Sequence, residues 1–380
     1  MASSPPPQAG ARARLLRSRG LPAVLSLRQL ATATDVPYDY LRSIVSRTRD
    51  PYFDLALPTR SGIARPISSP EPLLADVQRW LLREVLSAAP VHRASHAYAR
   101  GRSIRTAAEQ HVGARWLVKL DVHSFFHAIH EPSVYRVYSA LGYPPLVALE
   151  MTRISTRLQG ERRLDLSRIA RYPKIEAYAA GGLGVLPQGA PTSGLLANAV
   201  AFRLDEALSA LADSRGLGYT RYSDDLTFSG FEPFDRGSAT ELVREVSGHL
   251  RRAGFVPHLR KTRIVPPGAR KVVLGLLVDE HGVRLLPEYK RRIETHLRGC
   301  EKWGLVGHSQ HRGFDSILGL MRHLEGLIAF AIGIEALYGR EQLGRWRRVL
   351  EPYGMRPGVF ARAGDAQADD ATDGRSLVLP

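Results

Sequence analysis

The sequence has a single cysteine, Cys300, among its 380 residues. One cysteine excludes an intrachain disulfide framework and a Cys-rich zinc site, and it fits a reducing cytoplasm. Long apolar runs are also missing, because the longest one, near residues 327–334, is far shorter than the ~20 residues that cross a bilayer. This run is predicted to form a buried helix. We therefore expect a cytoplasmic protein with no membrane partner.

Acidic residues are scarce relative to basic ones. Lys and Arg number 53 against 37 Asp and Glu, which gives a formal charge of +16. Such an excess favours a polyanionic partner such as nucleic acid. Residues 1–34 contain no Asp or Glu, a pattern that superficially matches a transit peptide, and we interpret residues 1–33 as a basic amino-terminal arm. The net acidic stretch 363–380 is predicted to be a disordered tail.

Between these ends the chain alternates helical and strand-like segments. Amphipathic spacing predicts helices at residues 72–88, 131–142, 193–214 and 238–253. Strand composition marks residues 116–122, two short strands within 218–229, and 271–278 leading into a turn at 279–282. The sequence therefore predicts an α+β fold with antiparallel or mixed strand pairing.

One short apolar stretch, RYSDDLTF, contains the adjacent carboxylates Asp224 and Asp225. Two neighbouring anions repel, and burying either alone costs several kcal/mol, so a bound divalent cation is one way to neutralise them. Asp121, at the end of a separate predicted strand, completes the set. Three carboxylates on neighbouring strands suit two Mg²⁺ ions about 3.5–4 Å apart, the arrangement for phosphoryl transfer. A solvated turn remains the alternative for the YSDD tetrapeptide alone.

Further motifs accompany this tetrapeptide in a fixed order. They are RGLP at residues 19–22, Arg65-Pro66-Ile67 with Gln78, HAYARGRSI at 96–104, DVHSFF at 121–126, LPQGAPTS at 186–193, YSDD at 222–225, Gly254-Phe255 with Lys261-Thr262, and KVVLG at 271–275. Over nearly its whole length the chain thus resembles the reverse transcriptase family, most closely the bacterial retron-type enzymes. The resemblance implies a right-hand polymerase with fingers at 34–115, a palm at 116–283 carrying a fingers-associated insertion at 134–183, and a helical thumb at 284–362.

The resemblance also implies catalytic roles. Asp121 and Asp224 would ligate both Mg²⁺ ions, and Asp225 would mainly orient the site. Phe126 occupies the place from which a bulky ring meets the nucleotide 2′-position and favours dNTPs, although either Phe125 or Phe126 must be part of the core. Gln188 and Gly189 would let the backbone approach the nascent base pair. A plain helix-entry loop is the alternative for those two residues.

Basic residues are assigned to phosphates on the same grounds. The candidates for holding the triphosphate are Arg65, Arg100 and Arg102, because guanidinium groups bind phosphate oxygens bidentately. Lys261 would either protonate the leaving pyrophosphate or contact backbone phosphates. The residues expected to contact template and product are Tyr222, Lys290, Arg291 and Arg292. A solvated surface charge is the alternative for each basic residue singly.

Three positions depart from the retron-type pattern. Ala107 replaces the Asn of an Asn-Ala-x-x-His segment, Leu274 replaces Thr in a Val-Thr-Gly segment, and Gly194 replaces the Pro after the signature loop. These departures concern the narrower expectation that the enzyme copies a cognate structured noncoding RNA, starting from an internal guanosine 2′-hydroxyl. An effector protein and a role in phage defence belong to that same expectation.

Other functions remain open at this point. A metal-dependent nuclease also uses clustered carboxylates and Mg²⁺, but it has no need of Phe126, the Gln188-Gly189 loop or a thumb. A non-catalytic RNA-binding scaffold has little reason to keep Asp121, Asp224 and Asp225. A polymerase of the same fold that primes on protein, or synthesises DNA without a template, fits the sequence as well.

Overall fold

The computed structural model describes residues 7–57, 65–158 and 182–358. The described part divides into two compact units. Unit 1 takes the described residues of Met1–Ala107 and Arg115–Pro267, and unit 2 takes those of Ala108–Ala114 and Gly268–Pro380. The predicted tail at 363–380 and much of the predicted insertion at 134–183 lie outside the described residues. The four-part division into arm, fingers, palm and thumb stays a prediction.

Helices and strands alternate along unit 1. Its helices are α1 Pro7–Ser18, α2 Leu27–Thr34, α3 Tyr38–Val45, α4 Pro72–Trp80, α5 Ile104–Glu109, α6 Glu131–Leu141, α7 Pro145–Ser155, α8 Ser193–Asp213 and α9 Arg236–Arg252. Its strands are β1 Tyr52–Leu57, β2 Arg65–Pro70, β3 Trp116–His123, β4 Arg157–Leu158, β5 Gly184–Val185, β6 Leu217–Tyr222, β7 Asp225–Gly230, β8 Val256–Pro257 and β9 Arg263–Val265. The fold is α+β, as predicted.

The central sheet of unit 1 has β3 in its middle. β7 pairs with β3 on one side and with β6 beyond it, while β8 and β9 pair with β3 on the other side, all antiparallel. β3 is buried along almost its whole length, as expected for a strand with neighbours at both edges and helices against it. Helix α9 contacts β3 and β8, α8 contacts β6, and α6 contacts α8. This arrangement fixes the end of β3 beside the turn between β6 and β7.

The first 34 residues are more than a basic arm. The segment from α1 to α2 places Leu16, Leu21, Val24, Leu27 and Leu30 in the hydrophobic core of unit 1, each at most 4% exposed. Burial of such side chains stabilises a fold by about 1.5–3 kcal/mol each. The apolar positions inside this Arg-rich segment therefore make it an integral part of unit 1.

Unit 2 joins a small sheet to three helices. The strands β10 Val272–Val273, β11 Leu276–Asp279 and β12 Gly282–Leu285 form an antiparallel sheet, and the helices are α10 Pro287–His311, α11 Ile317–Ile334 and α12 Ala336–Leu350. The three helices contact one another. Within their bundle, Trp346 is fully buried and its indole N–H donates to Glu325 Oε1 at 3.1 Å. The three helices thus form a bundle, and its assignment as a polymerase thumb stays a prediction.

The prediction of one strand across residues 271–278 is wrong. Leu274 and Gly275 form a turn with φ of 50° and 80°, so β10 and β11 fold back on each other with Val273 opposite Leu276. The predicted helix at 72–88 is present, but after Trp80 it changes to a π-helix, Leu81–Val85, and a 3₁₀ turn, Leu86–Ala88. The continuous apolar composition of both segments conceals these backbone changes.

One helix in the described part of the chain, α11, is long and apolar enough to cross a membrane by length and composition. Its buried side chains include Leu320, Leu324 and Ile328, each fully buried. The helix contacts both α10 and α12. A helix apolar on most sides and packed between two others is typical of a protein core, which agrees with the buried helix predicted near residues 327–334.

Candidate active site

The turn that joins β6 and β7 carries the YSDD tetrapeptide. β6 ends at Tyr222 and β7 begins at Asp225, so Ser223 and Asp224 form a two-residue hairpin turn. Ser223 has a φ of 58°, in the left-handed region that most two-residue hairpin turns require. The carbonyl of Asp224 accepts a hydrogen bond from the backbone N–H of Val122 at 3.0 Å. The turn is thereby fastened to the strand that carries Asp121.

Asp121 lies directly opposite Asp225 in the pairing of β3 with β7. Side chains at such positions project from the same face of a sheet, with Cβ atoms about 4.5–5.5 Å apart. Asp121 is 8% exposed, whereas Asp224 and Asp225 are partly exposed. The fold thus brings Asp121 close to Asp224 and Asp225, which follow it by about a hundred residues in the sequence.

The cluster of Asp121, Asp224 and Asp225 has more negative than positive charge around it. The pKa of Asp225 is raised to about 6, first by burial and then by repulsion from Asp224 and Asp121, while Lys119 and Lys261 act in the opposite direction. The Lys261 ammonium contacts Asp121 Oδ2 at 2.9 Å and is about half exposed. One lysine therefore offsets only part of the negative charge, and a cation placed between these carboxylates would be strongly favoured.

The donor set fits divalent metal ions in its chemistry. Carboxylate oxygens are the ligands that Mg²⁺ prefers, and the pKa of Asp225 is raised first by burial and then by the neighbouring carboxylates Asp224 and Asp121. As the side chains are placed, no three His, Cys, Asp or Glu residues within 7–57, 65–158 and 182–358 form a closed metal-binding group.

The two phenylalanines after Asp121 have different environments. Phe125 is 3% exposed and belongs to the core, whereas Phe126 is partly exposed. The Phe126 ring contacts Phe125 with centroids 5.7 Å apart and Tyr98 with centroids 6.0 Å apart, both edge to face. The core position predicted for one of the pair therefore goes to Phe125, and the assignment of Phe126 to the nucleotide 2′-position stays a prediction.

The signature loop packs against strand β2. The Gln188 carbonyl accepts from the Ser68 N–H at 2.8 Å. Gly189 has a φ of 119°, and a Cβ there would lie 2.6 Å from Ile67 Cγ2 and 2.9 Å from the Ser68 carbonyl oxygen. These contacts with Ile67 and Ser68 explain why residue 189 is glycine. The predicted approach of the backbone to the base pair stays a prediction. Gln188 remains partly exposed.

The arginines assigned to the triphosphate have different surroundings. Arg65 lies in β2, and its side chain is outside the described residues. Arg100 is exposed. Arg102 donates from Nη1 to the carbonyls of His92 and Ser95 at 2.8 and 2.6 Å, so part of its guanidinium holds this loop. All three assignments stay predictions.

The predicted nucleic-acid contacts fall in both units. Tyr222, in unit 1, is half-buried. Its pKa is raised first by burial and then by electrostatic interaction with the neighbouring Tyr98. In unit 2 the Lys290 ammonium contacts Glu335 Oε2 at 2.6 Å, which gives it a structural partner. Arg291 and Arg292 are exposed on α10. The Tyr222, Lys290, Arg291 and Arg292 assignments also stay predictions.

A buried ion pair behind the turn was missed at the sequence level. Arg221 is fully buried and donates to both carboxylate oxygens of Asp205, at 2.8 and 2.6 Å. Its Nη1 also donates to Asn198 Oδ1 and to the Ser223 carbonyl, at 3.2 and 3.1 Å. Asn198 and Asp205 are seven residues apart, hence on one face of α8. Two polar residues on that buried face were the signal available in the sequence.

Comparison with known proteins identifies the class to which this site belongs. The family model described as "Reverse transcriptase (RNA-dependent DNA polymerase)" matches residues 57–286. The retron Mx65 reverse transcriptase of Myxococcus xanthus is 34% identical over 341 residues, covering 88% of this chain and 73% of the relative. The retron Ec86 reverse transcriptase of Escherichia coli is 26% identical over 345 residues, covering 90% of this chain and 95% of the relative.

A solved structure of a foamy viral protease-reverse transcriptase in complex with double-stranded DNA is similar at a lower level. It covers 74% of this chain and 35% of its own, with 16% identity and a TM-score of 0.38. The family match covers more than half of the chain, so the chain belongs to the reverse transcriptase family, as a retron-type member. It is an RNA-directed DNA polymerase with the right-hand fold that its motifs predict.

Proposed function

We propose that this enzyme copies a structured noncoding RNA into DNA by nucleotidyl transfer at Asp121, Asp224 and Asp225, with two Mg²⁺ ions. The observation that carries the proposal is the pairing of Asp121 opposite Asp225, beside the turn that contains Asp224. Reverse transcriptases use divalent ions, and the bound ions would activate the attacking hydroxyl and stabilise the leaving phosphate oxygen. Asp121 and Asp224 would hold both ions, and Asp225 would orient them.

The remaining side chains act on the nucleotide. The partly exposed ring of Phe126 would exclude a ribose 2′-hydroxyl, and Gln188 with Gly189 would support the nascent base pair. Arg65, Arg100 and Arg102 would bind the triphosphate. Lys261 can hold a proton at Nζ close to Asp121, from where it would reach the leaving pyrophosphate or a backbone phosphate.

The narrower proposal concerns priming and biology. The relatives Mx65 and Ec86 carry the name retron reverse transcriptase, which supports self-priming from an RNA 2′-hydroxyl on a cognate noncoding RNA. An effector protein, a role in phage defence and a cytoplasmic location follow from the same likeness. A related role with protein-primed or untemplated synthesis is the second candidate, which the departures at Ala107, Gly194 and Leu274 keep open.

The test is to express the gene with its native flanking DNA, purify the protein, and sequence the bound nucleic acid. The comparison variant is Asp224→Asn with Asp225→Asn, which keeps side-chain size and removes both negative charges. The expected wild-type product is a discrete DNA joined covalently to RNA and absent from the variant. Melting curves and RNA binding should be nearly unchanged in the variant.

Other outcomes separate the parts of the proposal. Substantial DNA synthesis by the double variant would remove the metal assignment. Heterogeneous DNA, or DNA that needs an added primer, would keep the catalytic assignment and favour the second candidate. A DNA attached to protein instead of RNA would identify protein priming directly.

A further inference from the structure

Tyr98 combines backbone strain with exposure of a large ring. Its φ is 55°, in the left-handed region, which costs a residue with a Cβ about 1–2 kcal/mol. Its side chain is nevertheless 51% exposed, so burial does little to offset that strain. Strained conformations of this kind persist where the surrounding structure imposes them, and they concentrate at functional sites.

The loop that carries Tyr98 is fixed from both sides. The His96 N–H donates to the Arg221 carbonyl at 2.8 Å, which links the loop to β6 just before the catalytic turn. The buried side chain of Asn198 on α8 donates from Nδ2 to the Ala97 carbonyl at 2.7 Å. Because both anchors are rigid elements of unit 1, the position of the Tyr98 ring is determined by the fold.

The Tyr98 ring lies on the first turn of α8, over Gly194. A Cβ at residue 194 would come within 2.4 Å of Tyr98 Cγ and 2.6 Å of Cδ1. Real Cβ atoms do not approach ring atoms this closely, so the ring position depends on glycine. This contact gives a physical reason for Gly194, the residue that departs from the retron-type pattern.

The Tyr98 ring also contacts Phe126. The two centroids are 6.0 Å apart and the planes are inclined by 63°, an edge-to-face contact. Phe126 touches the core residue Phe125 in the same manner, at 5.7 Å. The Phe126 ring is therefore flanked by Phe125 and Tyr98.

We propose that Tyr98 is a positioning residue that holds the Phe126 ring and so sets the preference for deoxyribonucleotides over ribonucleotides. The proposal rests on the proposed role of Phe126 as the group that meets the 2′-hydroxyl. A ring that excludes one oxygen atom must not rotate away from it, and the edge-to-face contact with Tyr98 opposes that rotation. Tyr98 acts through Phe126 and needs no contact with the nucleotide.

The test measures kcat/KM for single-nucleotide addition of a dNTP and of the matching rNTP on one primer and template. Tyr98→Ala should lower the dNTP/rNTP ratio about three- to tenfold, the size of one edge-to-face ring contact. Tyr98→Phe keeps the ring and should restore the ratio to within about twofold of wild type. Because Tyr98 is half exposed, the Ala variant should fold, and a melting curve checks this.

Two further variants test the pathway of the effect. Gly194→Ala should reproduce the change caused by Tyr98→Ala, because the added Cβ displaces the ring. In a Phe126→Ala background, Tyr98→Ala should cause no additional change, since residues acting through one contact are not additive. Phe231→Ala, a change at another exposed aromatic residue in unit 1, is the control and should leave the ratio unchanged.

The possible results separate the role of Tyr98, the gate role of Phe126 and the polymerase function. If Phe126→Ala lowers the ratio but Tyr98→Ala slows dNTP and rNTP addition equally, Tyr98 is only structural and the proposal is overturned. Additive effects of Tyr98→Ala and Phe126→Ala would overturn it too, because Tyr98 would then act independently. An unchanged ratio in Phe126→Ala overturns the gate assignment and the proposal with it, whereas absence of dNTP addition by the wild type overturns the proposed function itself.

Discussion

Two tight turns in this chain share a backbone conformation and differ in what supports it. Ser223, between β6 and β7, and Leu274, between β10 and β11, both enter the left-handed region, with φ of 58° and 50°. Leu274 is followed by Gly275 at a φ of 80°, which glycine adopts without steric cost. Ser223 is followed by Asp224, one of the three clustered carboxylates. Local sequence therefore favours the second turn much more than the first.

The first turn depends on tertiary contacts instead. The Ser223 carbonyl accepts from Arg221, which is held by Asp205, and the Asp224 carbonyl accepts from Val122. Arg221 belongs to β6 itself and is held by Asp205 of α8, whereas Val122 belongs to β3, about a hundred residues earlier in the sequence. The comparison indicates that the turn carrying Asp224 depends on contacts with the surrounding fold, because it has no glycine to adopt the left-handed conformation without steric cost.

The largest effect is expected from removing the support of the first turn. Asp205→Ala leaves the Arg221 guanidinium fully buried without its carboxylate, and breaking a buried pair in this way costs about 3–5 kcal/mol. Urea unfolding should show a free energy of unfolding lower by that amount. The matched control on the same helix is Asp213→Ala, whose pair with Arg93 is exposed at both ends and is worth at most about 1 kcal/mol.

Equal losses in Asp205→Ala and Asp213→Ala would contradict this view of the turn. A loss confined to DNA synthesis, with stability unchanged in Asp205→Ala, would instead place Asp205 in the chemistry. The same unfolding experiment therefore separates a supporting role from a direct one.

Single helices and turns of this fold could be predicted from the sequence, because residues close together in the chain determine them. The periodicity of apolar residues locates α6, α8 and α9 to within two residues at either end. The position of the YSDD turn follows from its polar residues between two strand-like runs. These features depend on neighbours a few residues apart, and such patterns are readable without a structure.

Contacts between distant segments could not be obtained in that way. Asp121 was grouped with Asp224 and Asp225 on the chemistry of a metal site and then by resemblance, but nothing in the composition of β3 specifies β7 as its neighbour. The choice between Phe125 and Phe126 as the core residue required knowledge of tertiary contacts, such as that of the Phe125 ring with Phe255 at 5.2 Å between centroids. The Arg221–Asp205 pair escaped notice for the same reason, because each residue alone reads as an ordinary surface charge.

A smaller effect is expected when the same strain is added to both turns. A β-branched residue tolerates a positive φ poorly, so Ser223→Val and Leu274→Val should each lower the free energy of unfolding by about 1–2 kcal/mol. Primer extension on a simple template should fall about tenfold or more in Ser223→Val only, because a carboxylate displaced by about 1 Å costs that much or more in rate. Leu274→Val is the control for strain without loss of catalysis. A similar decrease in both variants would mean that the two turns are equally linked to the active site.

The smallest effect concerns the turn between β10 and β11, in which Gly275 already favours a positive φ. Leu274→Asn replaces a residue that pays for its left-handed φ with one whose short polar side chain tolerates it, so the protein should gain about 0.5–1 kcal/mol of stability. Leu274→Ala is the control, because it also removes the apolar end of the Leu side chain but lacks the tolerance that Asn has for a positive φ. Thermal melting of the three proteins measures the difference, which should appear as a higher Tm for the Asn variant alone. Equal Tm values for the Asn and Ala variants would mean that the side-chain packing of Leu274, and not its backbone conformation, decides the stability of this turn. The difference between the Leu274 and Ser223 turns would then lie in their side-chain contacts.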